Sequence, residues 1–232
     1  QLGKEIKKNI SNDYKVYALH KHSRKYCGNF LENKKVIQSI RDIQPDIIIN
    51  ASAYTSVDDA EANRKAVKKI NIITPQKIAY EASKINALLI HFSSDYVFSG
   101  RGKKPWNENS PTTPKNYYGF SKAECDRMIT SSGCKYTIIR SSWIYGVKGK
   151  NFFNTIIELS RKKTELNVIN DQIGAPTSTI FIAKAVEEII NDYLLNKNKS
   201  KFLNQIFNIV PEGFASWYEF AFQILANLEK MR

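Results

Sequence analysis

Two residues in Tyr118-Gly119-Phe120-Ser121-Lys122 have the types and spacing for proton chemistry. Four residues apart on a helix, a tyrosine and a lysine share one face at about 5–6 Å. The ammonium there favours phenolate and lowers a phenol pKa that starts near about 10. The tyrosine then becomes a general acid usable near neutral pH. Taken alone the pair is weak, because a surface lysine beside a half-buried tyrosine is a common arrangement. A second group, Ser93-Ser94-Asp95-Tyr96, follows the apolar run Leu88-Leu89-Ile90-His91-Phe92. It places two hydroxyls and a carboxylate at the carboxyl end of a buried strand, where ligands of open α/β sheets bind. Ser94 would there hydrogen-bond the oxygen that the tyrosine protonates. A plain turn, capped by Ser94 and started by Asp95, fits the same residues. A third group, Asn50-Ala51-Ser52-Ala53, ends another apolar run. Its small side chains let a ligand such as an adenosine approach the backbone, although tight helix packing explains them equally well.

These groups need strands that end beside one another and helices that return the chain. Short β-branched apolar runs at residues 14–19, 46–50, 88–93, 136–140 and 205–210 are expected as strands. The runs 46–50 and 88–92 are continuous rather than alternating, so both their faces are expected to be covered. Helices are expected over 3–10, 33–43, 57–70, 74–84, 117–131, 152–162, 180–195 and 217–230. In the second of these, Val36, Ile37, Ile40 and Ile43 recur at helical spacing. Strands alternating with longer helices mean βαβ units and a doubly wound parallel α/β sheet. The division expected is a dinucleotide-binding core with the catalytic residues over 1–145 and a small substrate lobe over 146–232, interleaved with the last strands and helices of the core. The chain opens on Gln1-Leu2-Gly3 and goes straight into a helix, so the first strand of the sheet is expected to precede it.

Composition narrows the function classes. With 232 residues, 42% hydrophobic and 25% charged, the chain holds one sizeable core with a small appended lobe. No stretch approaches the roughly 18–20 apolar residues of a membrane span. Cys27, Cys125 and Cys134 match neither a zinc ribbon nor a redox pair, which points to a reducing cytoplasm. His20, His22 and His91 form no ligand set with a nearby carboxylate, so no metal is expected from the residues themselves. The net charge of +13 is spread over lysines without an arginine-rich stretch or stacking aromatics. Nucleic acid is therefore set aside in favour of an anionic small substrate or compositional bias.

Together, the three groups fall at successive strand ends in the order used by one family. Ser93-Ser94-Asp95-Tyr96-Val97-Phe98 followed by Tyr118-x-x-x-Lys122 resembles the Ser/Thr-Tyr-Lys site of the extended short-chain dehydrogenase/reductases. Within that group, the chain resembles the dTDP-4-dehydrorhamnose reductases. The segments 45–58, Arg140-Ser141-Ser142-Trp143-Ile144-Tyr145-Gly146 and Asp171-Gln172-Ile173-Gly174-Ala175-Pro176-Thr177 carry the narrower likeness, which covers essentially the whole chain.

The resemblance implies reduction by NADPH, with NADH accepted, of the 4-keto group of a dTDP-sugar. Tyr118 would protonate the oxygen, Lys122 would depress its pKa and hold the nicotinamide ribose, and Ser94 would orient the carbonyl. Asp95, Tyr96 and Trp143 would line the sugar site. Gln1 and Leu2 match the tail of a pyrophosphate turn at a helix N-terminus. Asn29 and Phe30 would flank the adenine, and Ala51, Ser52, Ala53 and Thr55 would line the dinucleotide path. His20 ends the second strand where an NAD-binding relative would carry an aspartate, and Arg24 follows, which favours a 2′-phosphate. The leading glycines of the phosphate turn and the family's C-terminal tail are not in this sequence. Some members are described as dimers holding magnesium through glutamates; Glu5 fits one position, but Ile180 stands at another. The rivals are another nucleotide-sugar reductase or epimerase, and a non-catalytic cofactor-binding regulatory subunit. The first is disfavoured as a dehydratase because no glutamate follows Asp95, and the second predicts a damaged Ser-Tyr-Lys set.

Overall fold

The computed structural model describes residues 1–10 and 14–230. In chain order its elements are α1 (Leu2–Ile10), α2 (Asn33–Ile43), β1 (Ile47–Asn50), α3 (Asp59–Ala62), α4 (Arg64–Val67), α5 (Thr74–Lys84), β2 (Leu88–Ser94), α6 (Tyr117–Thr130) and β3 (Lys135–Ser141). There follow β4 (Ile144–Tyr145), α7 (Phe152–Ser160), β5 (Ile173–Gly174), β6 (Thr177–Ser178), α8 (Thr179–Asn196), β7 (Gln205–Asn208), β8 (Ala215–Ser216) and α9 (Trp217–Lys230). They form two compact units, each discontinuous in sequence. One comprises Lys15–Arg140 with Ile189–Asn208, and the other Gln1–Tyr14, Ser141–Glu188 and Ile209–Arg232.

The first unit is built on a four-stranded sheet of order β1-β2-β3-β7. β1 pairs parallel with β2, Asn50 opposite His91, and β3 pairs parallel with β7. Every residue of β2 is buried, as a strand covered on both faces requires. On one face, Val36, Ile37 and Ile40 of α2, Ile78, Ala79 and Ala82 of α5, and Cys125 and Ile129 of α6 pack around Leu89 and Ile138. The helical stripe of α2 thus meets the sheet, and left-handed Gln44 closes that helix by donating its backbone N–H to the Ile40 carbonyl.

Two expectations need correction. Residues 14–19 form no strand: an extended segment becomes one only through a ladder partner, and His20 makes just a single bridge, to Cys27. Residues 57–70 are not one helix. The chain breaks at Asn63 (φ −105°), re-forms as α4, and passes through a π-helical segment, Lys68–Ile73, into α5. That wide turn lets the Asn71 side chain turn inward, where it accepts from the Tyr54 N–H at 2.8 Å and donates to the Ser121 hydroxyl at 2.9 Å.

In the second unit, β4 pairs parallel with β6 and β5 antiparallel with β8. Its core joins α7 and α9 through Ile156, Ala221 and Ile224, with Phe152, Phe153 and Phe220 packed against them.

Candidate active site

The best-defined group of polar side chains in the first unit lies where β2 ends and α6 begins. Asn116 caps α6, its side chain accepting the Gly119 N–H at 2.7 Å, and so fixes where the helix starts and which face Tyr118 and Lys122 share. Gly119 is required by proximity: a Cβ there would collide with the Tyr96 carbonyl oxygen. The helix therefore lies directly against the turn Asp95–Val97. Ser94 caps that turn by accepting the Tyr96 N–H at 3.3 Å, and its hydroxyl donates to Asp95 Oδ1 at 2.9 Å. The rings of Tyr96 and Tyr118 meet edge to face at 5.5 Å.

The electrostatics differ from the expectation in one respect. Burial pushes the Tyr118 phenol up to about 12, and a hydrogen bond with Ser94 only partly opposes it. Lys122 is not among the groups that set this pKa; its ammonium donates to the Phe92 carbonyl at 2.6 Å and lies 3.3 Å from His91 Nε2. Burial lowers the Lys122 pKa, while Cys125 and Asp126 raise it. The phenol is thus a group that keeps its proton at neutral pH. Burial also raises the part-exposed Asp95 carboxyl to about 6, against hydrogen bonds from Ser94 and the backbone.

Behind these groups is a buried ionic pair that the sequence reading did not single out. Arg140 Nε is 3.1 Å from Asp126 Oδ2, both side chains being 5% exposed, and Ser93 donates to the same oxygen at 3.0 Å. Asp126 follows Lys122 by one helical turn, so α6 presents phenol, ammonium and carboxylate in succession along a buried face. An inward polar face leaves no apolar stripe to read. Asn71, on the π-helical segment, was missed for a similar reason: nothing in the sequence marks that turn.

The remaining expected site residues divide into groups. Ala51, Ser52 and Thr55 are exposed and Ala53 half-buried just after β1, whose last residue pairs with His91. His20 is exposed, its N–H donating to the Ser23 hydroxyl. Asn29 caps a short 3-10 turn and donates to Glu32, and Phe30 packs on the core, so both are engaged by the protein itself. Gln1, Leu2 and Trp143 belong to the second unit. There Leu2 opens α1, while Gln1 donates to the Ile144 carbonyl and accepts from Asn151. Trp143 has φ +46°, a left-handed backbone uncommon for a bulky residue, and stacks on Trp217 with ring centroids 3.5 Å apart. Trp217 fills that stack, whereas Tyr218 is half-exposed. Among the described residues no group of three His, Cys, Asp or Glu side chains could hold a metal ion.

Comparison with known proteins adds to this geometry. Residues 1–232 match the family described as RmlD substrate binding domain. The dTDP-4-dehydrorhamnose reductase of Escherichia coli (strain K12) is 36% identical over 230 residues, which span 99% of this chain and 76% of that one. A crystal structure of a dTDP-4-dehydrorhamnose reductase from Clostridium acetobutylicum superposes with a TM-score of 0.89 at 32% identity, covering 99% of this chain and 77% of that one. The Bacillus anthracis enzyme of the same name, solved in complex with NADP, gives the same TM-score and identity over 99% and 78%. With parallel βαβ architecture, a Ser94–Tyr118 pair at the end of β2 and likeness along its whole length, this chain belongs to the RmlD substrate binding domain family, together with the dTDP-4-dehydrorhamnose reductases.

Proposed function

We propose that this chain uses NADPH to reduce the 4-keto group of dTDP-4-dehydro-L-rhamnose, giving dTDP-L-rhamnose for cell-surface polysaccharide. The observation that carries this reading is the buried Tyr118 phenol packed on Tyr96 of the turn that Ser94 caps at a strand end, within a chain of this family. A phenol held protonated by burial has a proton to give at neutral pH, which reduction of a ketone consumes. Ser94 would hold the keto oxygen so that this proton is delivered to it, and Asp95 and Tyr96, beside Ser94, would contact the sugar.

The residues present fit a nicotinamide dinucleotide. Ala51 and Ser52 put small exposed side chains after β1; Lys122 is 1% exposed, but its ammonium has hydrogens beyond the one given to Phe92. When bound, the cofactor supplies the hydride. Lys122 would hold ribose hydroxyls, Ala51, Ser52, Ala53 and Thr55 the dinucleotide path, Asn29 and Phe30 the adenine edge, and His20 with Arg24 a 2′-phosphate. In this reading the dinucleotide core is 1–145 and the substrate lobe 146–232, interleaved with the last strands and helices of the core; the grouping of Ile189–Asn208 with Lys15–Arg140 supports the interleaving, while Gln1–Tyr14 group with the other unit. We place the protein in the cytoplasm as a homodimer. Its three cysteines are unpaired, and among the described residues no helix is long and apolar enough to cross a membrane. Light scattering in solution tests the dimer.

The test of function is direct. The protein is supplied with dTDP-4-dehydro-L-rhamnose and NADPH absorbance is followed. Consumption dependent on the sugar is expected; binding of NADPH without any reduction would favour a regulatory cofactor-binding role instead.

A further inference from the structure

His91 is 1% exposed in the middle of β2, beside groups assigned to the reaction, yet the mechanism gives it no task. Its surroundings fix its proton. Asn50 ends β1 opposite it in register, and the Asn50 side-chain oxygen accepts the Ser52 N–H at 3.2 Å. A backbone N–H can only donate, so the Asn50 amide cannot be turned the other way, and its NH2 group faces His91 Nδ1 at 3.0 Å. An amide NH2 also only donates. Nδ1 must therefore accept, and the ring proton resides on Nε2. An imidazolium would set two donors against each other at Nδ1, and burial beside Lys122 holds the His91 pKa well below its usual range.

The consequence falls on Lys122. Nε2–H points toward the Cys125 sulfur at 3.4 Å, a weak acceptor, and is 3.3 Å from the Lys122 nitrogen. An ammonium cannot donate to a nitrogen that already carries a hydrogen. Of the groups around Lys122, the Cys125 thiol is pushed up to about 12 and stays neutral; Asp126 Oδ2 is taken by Arg140 and Ser93, and its buried Oδ1 makes no hydrogen bond to the ammonium. Among the described residues only the Phe92 carbonyl accepts from the ammonium. The opposite tautomer would offer a lone pair at 3.3 Å and take a second hydrogen into the core.

We propose that His91, locked by Asn50 with its proton on Nε2, is a positioning residue that denies Lys122 an inward acceptor and so reserves the remaining ammonium hydrogens for the bound dinucleotide. The proposal rests on the reading of Lys122 as a cofactor-holding residue.

Asn50→Asp tests it with almost no change of shape. The carboxylate still accepts the Ser52 N–H but also accepts from Nδ1, which draws the ring proton there and turns the Nε2 lone pair toward Lys122. Long-range proton–nitrogen NMR of the histidine rings should place the proton of His91 on Nε2 in the unaltered chain and on Nδ1 in Asn50→Asp. NADPH affinity, read by fluorescence titration without sugar, should fall about tenfold in Asn50→Asp, the worth of one hydrogen bond from a charged donor. In a His91→Phe background the same substitution should change affinity less than about threefold, because no imidazole relays it. A proton on Nδ1 of the unaltered chain overturns the proposal, as does an Asn50→Asp loss that persists without His91. If His91→Phe does not fold, the NMR result on the unaltered chain decides. Neither readout needs turnover, so a protein that passes both yet reduces no keto sugar would refute the proposed reaction and leave this inference standing.

Discussion

The two units differ in what they bury. Beside its apolar core around Leu89 and Ile138, the first unit buries a polar group along β2 and α6, His91, Lys122, Asp126, Arg140, Ser93 and Ser94, held by directional hydrogen bonds. The second unit packs rings: Trp143 on Trp217, Phe152 on Trp217 at 4.4 Å and on Phe220 at 5.6 Å, and Tyr145 on Phe153 at 5.5 Å. Rings supply apolar area and tolerate small shifts, each pair adding about 0.5–1.5 kcal/mol beyond its burial. A polar network adds little net stability, but each atom in it has one acceptable position and protonation state. Proton transfer needs the second kind of order, and the groups proposed for it are found there.

That contrast can be broken in several ways, the largest concerning turnover. Tyr118→Phe keeps the edge-to-face packing on Tyr96 and removes the proton, so turnover should fall about 10³-fold with an unchanged melting temperature. Near-normal NADPH consumption by this variant would show that the acid is wrongly assigned. Next is stability. Asp126→Ala strands the buried Arg140 and should cost about 3–5 kcal/mol in urea unfolding. Trp217→Ala removes a half-buried ring whose neighbours can relax, at about 2–3 kcal/mol. If the tryptophan costs more, the polar network is not the stricter of the two.

Two glycines sharpen the same comparison at about 1–3 kcal/mol. A Cβ at Gly119 would meet the Tyr96 backbone, whereas one at Gly174 would meet the side-chain ring of Trp143. Gly119→Ala should therefore be the more destabilising and should also reduce turnover. The smallest effect is a pH slope. The unfolded Asp95 carboxyl loses its proton near 3.8 and the folded one near about 6, so the folded state binds more protons between those values. Stability should fall by about 1–2 kcal/mol as pH rises through that window and then level off. Thermal melts of Asp95→Asn from pH 4 to 7 should lack that fall.

Local patterning made much of this legible. The run Ile47-Ile48-Ile49 and the stripe Val36, Ile37 and Ile40 read directly as strand and helix, and Ser94 next to Asp95 stood out because polar residues end an apolar run. What stayed hidden depends on partners distant in sequence. Residues 14–19 have strand composition without a ladder. His91 looked like an ordinary member of an apolar run until Asn50, 41 residues away, fixed its proton. The expectation that Lys122 lowers the Tyr118 pKa used helical spacing alone and could not anticipate that the Phe92 carbonyl would claim the ammonium.

The buried face of α6 also constrains how this gene can change. Tyr118, Ser121, Lys122, Cys125 and Asp126 all point inward along one helix. Each residue of a helix advances about 100° around the axis. Losing or gaining a single codon between positions 118 and 126 would swing the later side chains out of register with the earlier ones, so substitutions can be sampled there one at a time but length variation cannot.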